Sequence, residues 1–373
     1  MTSWRADTAY NDLPPLPPPV DVETKPVLKL AIEARASLAA LSQATGSMTN
    51  PQVLLNAIPL LEAQASSEVE NIVTTADALF RHADDEPSAD PATREALNYR
   101  TALMEGVDMV KSRGVITSNT AREVCSRIKQ HTMDLRSSDG TFIGNPATRK
   151  AVYTPPSGRA VIDKKLGEWE KFANSGEGLD PLIRMALAHY QFEAIHPFDD
   201  GNGRTGRILN VLMLMSDGLL SQPVLYLSKY IIARKNDYYD ALLAVTAEGA
   251  WVPWVEYMLD AVRMTSGSTL SKIERISDLQ TALKNRIGTS IPGAHMALID
   301  VLFEQPYCRI SNVMDRCHVS RPTATKWLRS LVDDGVLIDM QVGREKLFIN
   351  WQFMELLTAD ETDAEESRQN QLF

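Results

Sequence analysis

Apolar residues recur every three to four positions along most of this chain, a period that predicts a protein built mainly of helices. The pattern fills residues 27–44, 51–63, 68–82, 93–111, 118–134, 162–174 and 181–195, and the apolar run 208–215 continues it. Two segments break the period. Leu13-Pro-Pro-Leu-Pro-Pro-Pro-Val20 reads as an extended polyproline stretch, an arm laid on its own domain rather than a ligand for an aromatic groove. Thr141-Phe-Ile-Gly and Lys150-Ala-Val-Tyr-Thr-Pro-Pro156 are β-prone runs around Asn145-Pro-Ala-Thr-Arg149, which predicts a hairpin inside a helical chain. The acidic, proline-containing stretch 83–91 reads as a loop.

From about Ile291 the pattern changes. Helices are expected over 295–304, 310–317 and 321–334, followed by two strands within 335–350 that turn at Gly343. Three helices and a hairpin resemble a winged helix-turn-helix. Ser320 would cap the recognition helix, exposing Arg321, Thr323, Lys326 and Arg329, with Arg344 and Lys346 on the wing. The long amphipathic stretch 252–286 links this unit to the rest, and the acidic tail beyond Thr358 is expected to be disordered.

A length of 373 residues allows two or three domains, each with a sizeable core. Hydrophobic content of 44% is ordinary for a globular protein, and no run is long enough to span a bilayer. The opening Met1-Thr-Ser-Trp-Arg-Ala-Asp lacks a signal-peptide core, and three scattered cysteines make no disulfide framework. A cytoplasmic location without membrane attachment is therefore expected. The net charge of −10 disfavours bulk nucleic-acid affinity but leaves room for a local basic face.

Residues 196–207, His-Pro-Phe-Asp-Asp-Gly-Asn-Gly-Arg-Thr-Gly-Arg, concentrate the chemistry. Gly201, Asn202 and Gly203 can adopt the tight turns that aim successive amides at one anion, and the helix that follows adds its positive N-terminus. Arg204 and Arg207 lie three apart, on one helix face, where guanidinium forks can grip neighbouring phosphate oxygens. Gly201, Gly203 and Gly206 formally satisfy the dinucleotide fingerprint, yet that fingerprint needs a strand before it and the preceding stretch is helical. His189, two turns upstream of His196, has no further His or Cys at ligand spacing and reads as a helix residue.

The loop matches every fixed position of H-P-F-x-[D/E]-G-N-G-R-x-x-R, and by it the chain resembles the Fic (Fic/Doc) family. The resemblance implies a helical core with a hairpin flap over the site and transfer of AMP from ATP onto a Ser, Thr or Tyr hydroxyl of a target protein or of the chain itself. It implies His196 as the base that takes the hydroxyl proton, and Asp200 as the holder of Mg²⁺. Asn202 and Arg204 would anchor the α- and β-phosphates and Arg207 the γ-phosphate, with Gly201, Gly203, Thr205 and Gly206 completing the nucleotide loop. Tyr238 or Tyr239 would contact the adenosine. Phe198 reads as a buried anchor of the loop, and a homodimer is implied.

Ser66-Ser-Glu-Val-Glu-Asn71 carries two readings. Ser67 and Glu70 form an S-x-x-E capping box that would open the helix over 68–82. Ser66, Glu70 and Asn71 also match the family's inhibitory motif [S/T]-x-x-x-E-[G/N], which implies that Glu70 pairs with Arg207 and takes the room a γ-phosphate needs. The expected domains are an N-terminal region with arm and inhibitory helix (1–92), a Fic catalytic core (93–265), a helical linker (266–289), a winged-helix domain (290–356) and the tail (357–373). Alternatives to adenylyl transfer are another Fic-type group transfer, removal of AMP at the same site, or nucleotide-sensing transcriptional regulation. For the C-terminal unit, recruitment of a substrate or dimer formation is favoured over DNA, because its acidic and basic residues roughly balance.

Overall fold

The computed structural model describes residues 4–48, 50–83, 86–137, 140–145, 150–175, 178–291, 297–342 and 345–359. Among the described residues, eleven α-helices and a hairpin precede the C-terminal unit: α1 (Lys25–Ser47), α2 (Gln52–Val69), α3 (Ala76–His82), α4 (Pro91–Arg113), α5 (Ser118–Lys129), β1 (Ile143–Asn145), β2 (Lys150–Tyr153), α6 (Arg159–Ala173), α7 (Pro181–Ile195), α8 (Asn202–Ser216), α9 (Leu227–Ala233), α10 (Lys235–Glu248) and α11 (Trp251–Ser290). Helix α7 is buried on all sides from Leu182 to Ile195 except at Glu193, and its buried polar side chains are bonded, Arg184 to Asp217, His189 to Tyr238 and Gln191 to Pro14 O. Its partner α8 is buried from Arg204 to Leu214. Trp169 of α6 and Trp254 of α11 donate their indole N–H groups to the α7 carbonyls of Ala188 and Ala186 at 2.9 and 2.8 Å, which lets large rings pack there with their polar atom satisfied.

Around this pair stand α4, α5 and α11, while α1 lies along α11 and α2 along α4 and α9. The proline arm runs over the domain itself. Lys165 Nζ donates to Leu13 O at 2.7 Å, Gln191 Nε2 donates to Pro14 O at 2.9 Å, and Leu13 and Val22 are buried. The hairpin is antiparallel, Gly144 opposite Ala151. Tyr153 at its end donates its hydroxyl to Ala194 O at 2.7 Å, fastening the hairpin to the last turn of α7.

The C-terminal unit comprises α12 (Ala297–Glu304), β3 (Tyr307–Arg309), α13 (Ile310–Cys317), α14 (Arg321–Asp333), β4 (Ile338–Val342), β5 (Glu345–Ile349) and α15 (Trp351–Thr358). Its sheet has the order β3-β5-β4, so β3 is a third strand beyond the expected hairpin. Ser320 caps α14 through Thr323 N at 3.5 Å. Arg321, Lys326 and Arg329 are exposed, Thr323 is half-buried, Lys346 is paired with Asp339, and Arg344 lies outside the described residues, as does the tail from 360. The unit sits on the N-terminal helices. Asn56 of α2 donates to Glu304 O at 2.9 Å, and the Tyr307 hydroxyl donates to Asp77 of α3. Buried Lys272 of α11 donates to Leu356 O, Leu357 O and Ala359 O at 3.0–3.1 Å, answering the unpaired last carbonyls of α15. Helix α11 runs unbroken across position 265, where a domain boundary was expected.

Two expectations are overturned in this part of the chain. No helix covers 68–82: α2 continues to Val69, Glu70 is its C-cap, and Asn71 takes φ 62°. Asn tolerates that left-handed position and ends the helix there, while Thr75 caps a separate α3 by accepting from Ala78 N at 3.1 Å. Ser67 and Glu70 therefore close a helix rather than open one, and the capping box does not exist. Helix α5 also stops at Lys129, five residues short of the expected end, because Gln130 adopts φ 58°. Among the described residues no helix is long and apolar enough to cross a membrane.

Candidate active site

The loop between α7 and α8 is held by its own residues. His196 caps α7 with φ 49° and ψ 61°, its amide donating to Phe192 O at 3.0 Å. Phe198 is fully buried beneath the turn. Asn202 spans the turn, accepting from Phe198 N at 2.9 Å and donating to Phe198 O at 2.7 Å. Both ends of its buried amide are thus engaged with backbone, and in this arrangement Asn202 shapes the loop. Gly201, at φ 83°, is the N-cap of α8, and the first amides of the helix have no partner within it.

A carboxylate already sits at that N-terminus. A methyl group built on Gly203 would collide with Glu70 Oε1 and lie 3.1 Å from Arg207 Nη1, so Glu70 rests directly on the glycine backbone. Arg207 is 1% exposed. Its Nε donates to Ser66 Oγ, and Nη2 donates both to Ser66 O and to Glu70 Oε1, each at 2.8 Å. Burial, the largest single effect, disfavours the guanidinium charge, but Glu70 together with Tyr238, Tyr99 and Glu193 outweighs it and raises the Arg207 pKa above its ordinary value. The end of α2 and the start of α8 therefore form a seat for an anion, and the chain's own carboxylate fills it. Asn71 accepts from Lys235 Nζ of α10 at 3.0 Å and takes no part in the seat.

A second cluster lies on the other side of the loop. Lys129 Nζ is 2.5 Å from Asp200 Oδ2 and 3.0 Å from Glu95 Oε1, while Arg204 Nη1 donates to Glu95 Oε1 at 2.6 Å and Nη2 stands 3.8 Å from Asp200 Oδ1. Burial alone would raise the Asp200 carboxyl, yet Lys129 and Arg204 bring it below its usual range. Cys125 Sγ donates to Asp200 O at 3.3 Å. The His196 imidazole is held down at about 4 by burial first and by the Arg136 guanidinium second, with Glu70 and Asp200 partly offsetting them. It is neutral near physiological pH and able to accept a proton.

Three further expected contacts face elsewhere. Thr205 and Gly206 are buried, and Thr205 N donates to Gly201 O at 3.0 Å as an ordinary helix bond. A methyl on Gly206 would collide with Glu193 Oε1, so this glycine serves the close approach of α7 and α8. Tyr238 is 1% exposed and its hydroxyl meets His189 Nε2 at 2.8 Å, in a stack with Trp254. It is core, and Tyr239, 41% exposed beside it, is the aromatic left accessible. His189 is likewise core, lowered to about 3 by burial. Sequence reasoning did not single out Glu95, Cys125, Lys129, Arg136 or Glu193. Glu95, Cys125, Lys129 and Arg136 come from segments remote in the chain, and Glu193, three residues before His196, carries no pattern that sets it apart from the rest of α7.

Glu193 carries a prediction. Burial pushes its carboxyl up to about 8, against the pull of Arg207 and with help from Glu70. Its ordinary value is 4.5, so between 4.5 and about 8 the folded chain binds a proton that the unfolded chain has released. This group's stability contribution is full below 4.5 and is lost as pH climbs through about 8. Glu193→Gln is therefore expected to gain stability over wild type as pH rises across that window, by at most about 1.4 kcal/mol per pH unit. Urea unfolding at a series of pH values reads this directly, and parallel curves for the two proteins would contradict it.

Comparison with known proteins places this geometry. The Fic/DOC family N-terminal model matches residues 28–108, the Fic/DOC family model matches 116–214, and the model of the protein adenylyltransferase SoFic-like C-terminal domain matches 279–353. The chain belongs to the Fic/Doc family. Among curated relatives, the protein adenylyltransferase Fic of Aedes aegypti is 30% identical over 162 residues, which is 42% of this chain and 30% of that protein. Protein adenylyltransferase fic-1 of Caenorhabditis elegans is 32% identical over 136 residues, 35% of this chain and 25% of that protein. The chain thus aligns with under a third of these relatives' length. A crystal structure of a Fic family protein from Desulfovibrio desulfuricans G20 superimposes with a TM-score of 0.53 at 18% identity, covering 89% of this chain and 98% of that one. Fic-1 from C. elegans gives 0.50 at 19% identity over 69% and 74%. Both establish the Fic fold for this chain. Ser66 and Glu70 fall within the match of the N-terminal model, and His196 to Arg207 within that of the Fic/DOC model.

Proposed function

We propose that this protein transfers AMP from ATP to a hydroxyl side chain of a protein, and that Glu70 restrains the reaction. The observation that carries the reading is an anion seat made of the α8 N-terminus and Arg207, filled by Glu70 and flanked by a neutral imidazole. When Glu70 withdraws, the same amides and guanidinium receive the γ-phosphate. His196 accepts the hydroxyl proton, the hydroxyl oxygen bonds to the α-phosphorus, the bond to the bridging oxygen breaks and pyrophosphate leaves. The imidazole is a weak base at its present low value, and the negative charge of a bound triphosphate beside it raises its affinity for the proton. Tyr239 is the aromatic available to the adenine.

Asp200 fits a magnesium ion by its chemistry, since its carboxylate is 62% exposed and Mg²⁺ takes one or two carboxylates with phosphate oxygens and waters. Magnesium there would spread the charge that builds on the phosphates. Lys129 would then give up Asp200 and keep Glu95. The hairpin, fastened by Tyr153 to the turn before His196, offers an edge for an extended target segment. The C-terminal unit is read as a winged helix that recruits the target. Arg321, Lys326 and Arg329 line one groove with Asp333, a basic surface with one carboxylate that suits an acidic segment of a target protein.

Intact-mass spectrometry after incubation with ATP and Mg²⁺ tests the reaction class. A gain of one adenylate on the protein or on a supplied target is expected. A gain of a single phosphate, or of a different nucleotide when other donors are supplied, would replace adenylyl transfer with another Fic-type transfer.

A further inference from the structure

Arg136 is buried, 2% exposed, in the segment between α5 and β1, and it holds backbone. Its amide donates to Pro197 O at 2.9 Å and its Nε donates to His196 O at 2.7 Å. Nη2 donates to Ile195 O at 3.2 Å and to the Pro156 carbonyl. Three consecutive carbonyls, those of Ile195, His196 and Pro197, accept from this one residue, and the fourth acceptor lies just past the hairpin. These carbonyls belong to the end of α7, where no helical partner remains for them. His196 there occupies a left-handed conformation that side-chain-bearing residues disfavour. The guanidinium reaches its three carbonyls from two nitrogens in a fixed plane, Nε and Nη2, whereas an ammonium donates from one nitrogen.

We propose that Arg136 is a positioning residue for the transfer reaction, its guanidinium holding His196 in the left-handed turn beside the anion seat and tying the hairpin to that turn. This rests on the reading of His196 as the base. The charges that face the imidazole are Arg136 from the segment before β1, Glu70 from the end of α2 and Asp200 from the loop, with the Glu193 carbonyl of α7 also near. Arg136 is the cation among them, and it disfavours the protonated ring. Geometry and charge can therefore be separated by two substitutions. Arg136→Lys keeps the charge and loses the fork; Arg136→Gln loses the charge as well.

The test uses the Glu70→Gly protein as parent. Arg136→Gln is expected to lower kcat for AMP transfer by about 100-fold, the scale on which misplacement of a reacting group acts. KM for ATP stays unchanged, and the acid limb of the pH profile moves to higher pH. Arg136→Lys is expected to lower kcat by about tenfold with the acid limb in place, an intermediate loss on the same scale. Proton NMR titration of the His196 ring gives a readout independent of activity: its pKa rises in Arg136→Gln and holds in Arg136→Lys. If Arg136→Gln does not fold, Arg136→Lys decides, since kcat equal to the parent's overturns the proposal and a fall in kcat alone supports it. Loss of kcat together with ATP affinity, or an unmoved His196 titration in Arg136→Gln, overturns it. Absence of transfer by the parent itself would refute the proposed reaction and not this inference, which the NMR titration then decides.

Discussion

Replacing Glu70 by Gly is expected to raise AMP transfer about 10- to 100-fold, the factor that corresponds to losing one charge-assisted hydrogen bond of about 1.5–3 kcal/mol. Glu70 and a γ-phosphate compete for one seat. Arg207 is buried and has its three donor contacts on Ser66 and Glu70, so a γ-phosphate must displace the carboxylate to reach it. Glu70 also lies against Gly203, in the space where the first amides of α8 would receive a phosphate oxygen. The pair is partly open, with Arg207 at 1% and Glu70 at 33% side-chain exposure, and this accessibility lets a ligand exchange for Glu70 without unfolding α2. Steady-state kinetics with labelled ATP measures the change. Glu70→Gln, which keeps the volume and loses the charge, should fall between wild type and Glu70→Gly. Activity of Glu70→Gly at or below the wild-type level, in a protein that still binds ATP, would remove Glu70 as a restraint.

The second large effect concerns His196. In the Glu70→Gly background, His196→Ala should reduce transfer by about 10²- to 10⁴-fold, the usual contribution of a positioned base. ATP binding, measured by calorimetry, should be retained, because the anion seat is built from Arg207 and the α8 backbone and the imidazole adds nothing to it. This outcome separates an enzyme from a nucleotide sensor, which would lose nothing with its base. Equal transfer by the alanine variant would end the account of His196 as proton acceptor. Loss of ATP binding along with activity would instead make the imidazole part of the binding site.

Much of this could be read before any coordinates. The apolar period located α7 to the residue, since Asp180 caps it, Pro181 starts it and the His-Pro pair stops it. The β1–β2 hairpin and, in the C-terminal unit, α12 to α14 with β4 and β5 followed from the residue pattern in the same way, whereas β3 and α15 did not. The misreadings arise where one residue has two competent local uses. Ser67 and Glu70 have the spacing of a cap, and spacing does not tell which end of a helix it serves. No sequence pattern shows that Asn202 also bridges back to Phe198 four residues earlier, a contact that depends on how the turn folds. Of two adjacent tyrosines, the helix phase of α10 buried Tyr238 against His189 and left Tyr239 accessible.

By itself the sequence determined which chemistry this chain can perform: glycines, an imidazole, a carboxylate and two guanidiniums lie so close along the backbone that one loop must bring them together. Only the tertiary structure decided what state that chemistry is in. Glu70 reaches Arg207 across 137 positions of chain, Glu95 reaches Arg204 across 109, and Arg136 reaches His196 across 60. Such pairings depend on how apolar faces pack helices against one another, and no local spacing encodes them. Burial then fixes what the pairs do, lowering the imidazole and raising Glu193, because the charge of each group is set by the water it has lost and by the partners it has found.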